Sequence, residues 1–149
     1  MKNKPKFLIF DGNAIVHRSF HALPPTMTTK TGEQVNAVYG FANFLLKSIK
    51  EFKPKYCAVS FDLKGPTFRH EEYKATRAKA PQELYDQFER VKEIVRILNI
   101  PIYEVAGFEA DDVIGTTTKL VDSDIDAIIV TGDMDAIQLV NESTFVYAM

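Results

Sequence analysis

Short apolar runs alternate along this chain with segments of helical periodicity, and that alternation admits few folds. Lys6 to Phe10 is an apolar run ending at Asp11-Gly12, the mark of a buried strand entering a turn. Gln34 to Phe52 places Val35, Val38, Phe41, Ala42, Leu45, Leu46 and Ile49 at the spacing of one helix face, and Pro54 follows its end. Tyr56 to Phe61 reads as a second strand, ending at Asp62. Pro81 to Leu98 reads as a helix with Leu84, Phe88, Val91, Ile94, Val95 and Leu98 on one stripe. Pro81 suits its first turn. Ile100 to Val105 is a third strand, followed by Gly107 and Glu109; Asp111 to Val121 is a helix. Asp126 to Val130 is a fourth strand, followed by Thr131-Gly132-Asp133, then a short helix over Asp135 to Val140. Thr144 to Ala148 begins a fifth strand. Strands alternating with helices predict βαβ units and a mainly parallel sheet.

The 149 residues form one domain by the usual size prior. No apolar run approaches the ~18 residues of a membrane span, and Asp11 interrupts the first run too early for a signal peptide. A cytoplasmic protein is expected. One cysteine, Cys57, excludes an internal disulfide framework and a four-cysteine zinc site. With 18 Lys and Arg against 20 Asp and Glu, the net charge of −2 argues against attraction of nucleic acid by the whole surface.

The carboxylates fall in a pattern. Asp11 and Asp62 follow the first two strands directly, and Glu109 and Asp133 follow the third and fourth by a few residues. Asp111, Asp112 and Asp135 lie beside them. Parallel strands bring their carboxyl ends to one side, where open α/β sheets bind ligands. Any one of these acids is equally a turn residue or a helix N-cap; four strands ending alike point to a shared site. Carboxylates held close raise one another's pKa unless a cation compensates. Mg²⁺ and Mn²⁺ suit such an all-oxygen set. On a helix 109 and 112 share a face, so Asp111 has to sit in the first turn or act from a different angle.

Lys64, Arg69, Lys74, Arg77 and Lys79, against Glu71 and Glu72, make residues 64–79 net +3 and the rest of the chain −5. Such a segment after Asp62 could hold a polyanion over the acidic rim, with Phe68 and Tyr73 available to stack on bases. A solvated charged loop is the alternative. Arg18 is a candidate phosphate contact; His17 and His21 are assigned no catalytic role.

Several motifs occur in a telling order. They are Phe10-Asp-Gly-Asn13, Arg18-Ser-Phe-His-Ala-Leu23, Ala37-Val-Tyr-Gly-Phe41, Phe61-Asp62 with Thr67-Phe-Arg-His70, Tyr73-Lys-Ala-Thr-Arg77, Gly107-Phe-Glu-Ala-Asp-Asp-Val113 and Thr131-Gly-Asp-Met-Asp135. Across almost the whole chain the sequence resembles the N-terminal part of the 5′-3′ exonuclease domain of bacterial DNA polymerase I, a family related to the flap endonucleases. The resemblance implies a PIN-like three-layer α/β/α fold over residues 1–149, with the C-terminal helical part of the family domain missing and an arch-like basic segment at about 64–80. It implies a divalent-metal-dependent 5′-3′ exonuclease or 5′-flap endonuclease of DNA replication and repair. Its substrates would be DNA with 5′ ends, flaps or nicks, and RNA primer ends; its cofactor would be Mg²⁺ or Mn²⁺, two ions in the complete domain.

Position by position, the resemblance makes Asp11, Asp62, Glu109, Asp111, Asp112, Asp133 and Asp135 the metal-site acids. Lys74 and Arg77 become the catalytic basic pair of the arch, with Arg18, Arg69, Tyr73, Lys74 and Arg77 contacting DNA. The arch is shorter than usual in the family by about one turn, at ~3.6 residues per turn. The family's second half, with a further acid pair and a DNA-gripping helical element, and the polymerase domain are not in this sequence. The alternative is therefore a catalytically incomplete fragment acting as a DNA-binding or complementing half-domain. Receiver and haloacid-dehalogenase folds also carry strand-end Asp. The first strand's Asp-Gly-Asn lacks the latter's second Asp, and the acid pair here follows the third strand rather than the first, as a receiver would need.

Overall fold

The computed structural model describes residues 3–65 and 79–149. Its elements are β1 (Lys6–Asp11), α1 (Gly12–Ala22), α2 (Asn36–Phe52), β2 (Tyr56–Ser60), α3 (Gln82–Ile97), β3 (Ile102–Tyr103), α4 (Ala110–Leu120), β4 (Asp126–Thr131), a 3₁₀ turn at Met134–Leu139, and β5 (Thr144–Ala148). The five strands form one parallel sheet in the order β3-β2-β1-β4-β5.

The sheet is apolar on both faces, as a parallel sheet covered by helices requires. Side chains alternate along each strand. Leu8 and Phe10 of β1, Val59 of β2 and Ile128 and Val130 of β4 pack with Ile15, Val16, Phe41, Leu45, Leu84 and Val91 of α1, α2 and α3. Phe7, Ile9, Ala58, Ala127 and Ile129 face the other way, against Ile114 of α4 and Ala136 and Leu139 of the 3₁₀ turn. The result is the expected three-layer α/β/α arrangement. Among the described residues no helix is long and apolar enough to cross a membrane.

The structure departs from the sequence pattern in three places. Asp11-Gly12 is not a turn: the chain passes from β1 into α1 with no loop between them. Gly12 at the first helical position allows this. A Cβ there would lie 2.3 Å from a ring carbon of Phe61, whose ring also packs against Phe41 and Phe88. The third strand is only Ile102–Tyr103, and the short helix after Asp133 is 3₁₀.

A buried polar bridge joins the three helices of one layer. Gln87 of α3 accepts at Oε1 from Ala37 N (2.8 Å) and Val38 N (3.2 Å), otherwise unpaired donors in the first turn of α2. Its amide donates to Asn36 Oδ1 at 3.0 Å. Asn36 Nδ2 donates in turn to the carbonyls of Phe20 (2.9 Å) and Leu23 (3.0 Å), where α1 ends.

Candidate metal centre

Four acid-bearing segments reach the carboxyl rim of the sheet, each placed by local backbone chemistry. Asp11 ends β1 and caps α1: its Oδ1 accepts from Ala14 N at 3.1 Å. Its Oδ2 accepts from Thr131 Oγ1 at 2.8 Å, and the same hydroxyl oxygen accepts from Asp133 N at 3.0 Å. One buried threonine at the end of β4 therefore holds the Asp11 carboxylate and starts the turn carrying Asp133. Asp133 caps the 3₁₀ turn, its Oδ1 accepting from Asp135 N at 2.9 Å.

Asp62 follows β2. Its Oδ1 accepts from Ala110 N at 2.7 Å and its Oδ2 from Asn13 Nδ2 at 3.1 Å, while its own N–H donates to Asn13 Oδ1 at 2.9 Å. Ala110 opens α4, whose N-cap is Glu109 and whose first turn holds Asp111 and Asp112. Gly107 (φ +84°), in the left-handed region that favours glycine, precedes that cap. Asp112 Oδ2 accepts from Glu109 N at 3.0 Å, and Asp111 Oδ1 accepts from Asp112 N at 2.9 Å. One carboxylate oxygen from each of Glu109, Asp111 and Asp112 lies within 4.8 Å of the others. Asp111 lies in the first turn of α4. A helix N-terminus favours negative charge, which offsets part of the repulsion.

Asp11 shows the electrostatic consequence. Its carboxyl is raised to about 6, chiefly by burial and in small part by the nearby Asp62 and Asp111 carboxylates, against the bonds from Ala14 and Thr131 that lower it. That places Asp11 in electrostatic contact with both Asp62 and Asp111. Asp11, Asp62, Asp133 and Asp135 are not part of the 4.8 Å group formed by the α4 acids. The exposed Asp133 and Asp135 join the rim through Thr131. Arg18, exposed on α1, lies over the end of β4: a Cβ on Gly132 would lie 3.1 Å from Arg18 Cδ. Lys74, Arg77, Arg69 and Tyr73 lie outside the described residues. A groove of about 490 Å³ beside β3, lined by Ile102, Tyr103, Val105, Phe108 and Val113, touches the acid set only at Asp112.

The donor set fits a hard divalent cation. It is all oxygen, it comes from rigid strand ends and helix starts, and it holds like charges close together. Asp11 and Asp133 both cap the elements that follow them, and capping leaves each of them at the rim. Sequence reasoning missed two supporting residues, Asn13 and Thr131. Both stand inside the quoted motifs, but the carboxylates they bind are distant in sequence: Asn13 bonds Asp62, and Thr131 donates to Asp11 while also accepting from the nearby Asp133 N–H.

Comparison with known proteins agrees with this picture. Residues 6–149 match the family model described as 5′-3′ exonuclease, N-terminal resolvase-like domain. DNA polymerase I of Chloroflexus aurantiacus is 48% identical over 143 residues, covering 93% of this chain and 15% of that protein. DNA polymerase I of Bacillus subtilis is 39% identical over 150 residues, covering 98% and 17%. The chain thus spans about a sixth of these relatives. Among solved structures, T5 5′-exonuclease with bound divalent zinc superposes with a TM-score of 0.66 at 20% identity, over 97% of this chain and 55% of that one. Human GEN1 in complex with Holliday junction DNA gives 0.55 at 15%, over 98% and 37%. These two likenesses show the shared fold. An α/β domain with an acidic strand-end rim is the class that fold and site define. Within it, the chain belongs to the 5′-3′ exonuclease family, as its N-terminal resolvase-like domain.

Proposed function

We propose that this chain carries the metal-binding part of a 5′-3′ exonuclease or 5′-flap endonuclease that hydrolyses DNA phosphodiesters in replication and repair. The observation that carries the reading is the convergence of Glu109, Asp111 and Asp112 within 4.8 Å, on a rim that also holds the buried Asp11 and the clamped Asp62. Glu109, Asp111, Asp112, Asp11 and Asp62 would hold Mg²⁺ or Mn²⁺, two ions in the complete domain, with Asp133 and Asp135 completing the set. When bound, such ions supply Lewis-acid charge and a water of lowered pKa. The protein's own part is positioning. Lys74 and Arg77 would neutralise charge building on the phosphoryl oxygens. Arg18, beside Asp133, would contact a neighbouring phosphate, and Arg69 and Tyr73 would hold the 5′ strand. Substrates are DNA 5′ ends, flaps and nicks, and RNA primer ends, met in the cytoplasm.

Cleavage of a labelled 5′-flap duplex is the test. The chain is expected to cut in Mg²⁺ and not in chelator, and Asp11→Asn is expected to lose at least a hundredfold in rate with its circular dichroism unchanged. Equal rates in the two proteins would defeat the assignment of Asp11. A second reading is that of a half-domain that binds DNA and needs a further segment to cut. It is favoured by the 55% share of T5 5′-exonuclease that the chain covers. Binding of the flap without cleavage, restored by adding downstream family sequence, would select it.

A further inference from the structure

We infer that Asn13 is a positioning residue of the metal centre: it fixes the Asp62 carboxylate and, through it, docks the acid-bearing start of α4 onto α1. The inference rests on the metal-centre reading above and adds a residue that neither the acid pattern nor the basic segment includes.

The geometry is specific. Asn13 lies in the first turn of α1, two residues past Asp11, and meets Asp62 at two points. Its Oδ1 accepts from Asp62 N at 2.9 Å, and its Nδ2 donates to Asp62 Oδ2 at 3.1 Å. The first bond assigns the amide's orientation, because a backbone N–H can only donate. The nitrogen must then face the carboxylate. The other carboxylate oxygen, Oδ1, accepts from Ala110 N at 2.7 Å, an N–H at the start of α4. Asp62 is thus gripped from both sides, by α1 through Asn13 and by α4 through Ala110.

Among the described residues each Asp62 oxygen accepts one protein donor, which leaves a lone-pair direction for a cation or its water. The remaining directions are therefore set by the clamp. Glu109, Asp111 and Asp112 flank Ala110 and bring three like charges to this turn. Asn13 helps hold the turn in place without adding charge. A carboxylate at position 13 would put an acceptor against Asp62 Oδ2, and an alanine would leave the carboxylate free to rotate about the Ala110 bond.

A double-mutant cycle on the 149-residue chain tests this, with Mn²⁺ affinity read by electron paramagnetic resonance titration. Asn13→Ala is expected to weaken Mn²⁺ binding about tenfold, the lower end of what outer-shell partners contribute. In an Asp62→Ala background the same change is expected to cost nothing further. In the metal-free chain, Asn13→Ala is expected to speed amide exchange at Ala110 while leaving Leu8 and Ile129 in the sheet protected. Asn13→Ser, whose hydroxyl is too short to span to Asp62, is expected to behave as Asn13→Ala does and serves if alanine unfolds the chain. Wild-type-like Mn²⁺ affinity in these variants overturns the inference and leaves the metal centre standing. So does an undiminished loss in the Asp62→Ala background. No saturable Mn²⁺ binding by the wild-type chain overturns the metal-centre reading, and this inference with it.

Discussion

Asp11 meets two opposed demands. Its place at the junction of β1 and α1 buries it, and burial favours the neutral acid; a metal site needs it ionised. A carboxyl raised from 3.8 to about 6 adds stability that is fully present below the unfolded value and is lost as pH rises through the folded one. In the metal-free chain, the Asp11 contribution should therefore decline between about pH 4 and pH 6. At ~1.4 kcal/mol per unit the loss is about 3 kcal/mol. Asp11→Asn removes this titration and keeps the shape. Urea unfolding of the metal-free variant should show greater stability than wild type at pH 7, by about 1–3 kcal/mol, and a flatter profile between pH 4 and 6. A variant less stable than wild type at pH 7 would contradict this account. A residue that limits the stability of the metal-free chain is thus one proposed to be indispensable for cleavage.

At the scale of elements, the helices on one face are tied by polar groups as well as by apolar packing. Gln87→Leu keeps the volume but strands the buried Ala37 N–H and the half-buried Val38 N–H, while Asn36 Oδ1 keeps its bond from Gln34 Nε2. Such orphaned groups cost about 1–3 kcal/mol each, so a loss of about 3 kcal/mol in urea unfolding is expected, with Mn²⁺ affinity little changed because the bridge lies away from the acids. A variant within 1 kcal/mol of wild type would show that water satisfies these groups. This bridge also marks where sequence reading stops. Strand-end acids are legible because apolar runs locate the strands, and parallel pairing sends their ends one way. Capping at Asp11 and Asp133 is local chemistry and equally legible. Helix α1 was hidden by Asp11-Gly12, a turn signal that here opens a helix because Phe61 needs the space beside Gly12. Asn36 with Gln87, Asn13 with Asp62 and Thr131 with Asp11 join positions 51, 49 and 120 residues apart. No periodicity encodes a pairing across such distances, so those partners emerge only once the chain is folded.

For the whole molecule, the charge is divided between a rim and a segment. The rim acids come from β1, from two residues past β2, from the start of α4 and from the turn after β4, so a cation held among them would cross-link parts of the chain from residue 11 to residue 135. Such a ligand binds the folded state and not the unfolded chain, and linkage then adds about 2.7 kcal/mol at a hundredfold excess over its dissociation constant. For a chain of this size each kcal/mol moves the melting temperature by about 2–4 °C. Mg²⁺ at that excess should therefore raise the midpoint by about 5–10 °C at pH 7.5. The rise should shrink at pH 5, where Asp11 is protonated and must release its proton to bind. NaCl at matched ionic strength should do far less, because screening weakens repulsion among the acids without bridging them. Differential scanning fluorimetry in Mg²⁺, in matched NaCl and in chelator separates the two effects. Equal shifts from Mg²⁺ and matched NaCl would reduce the rim to a patch of screened charge, and a Mg²⁺ shift that persists in Asp11→Asn would place the ion away from β1.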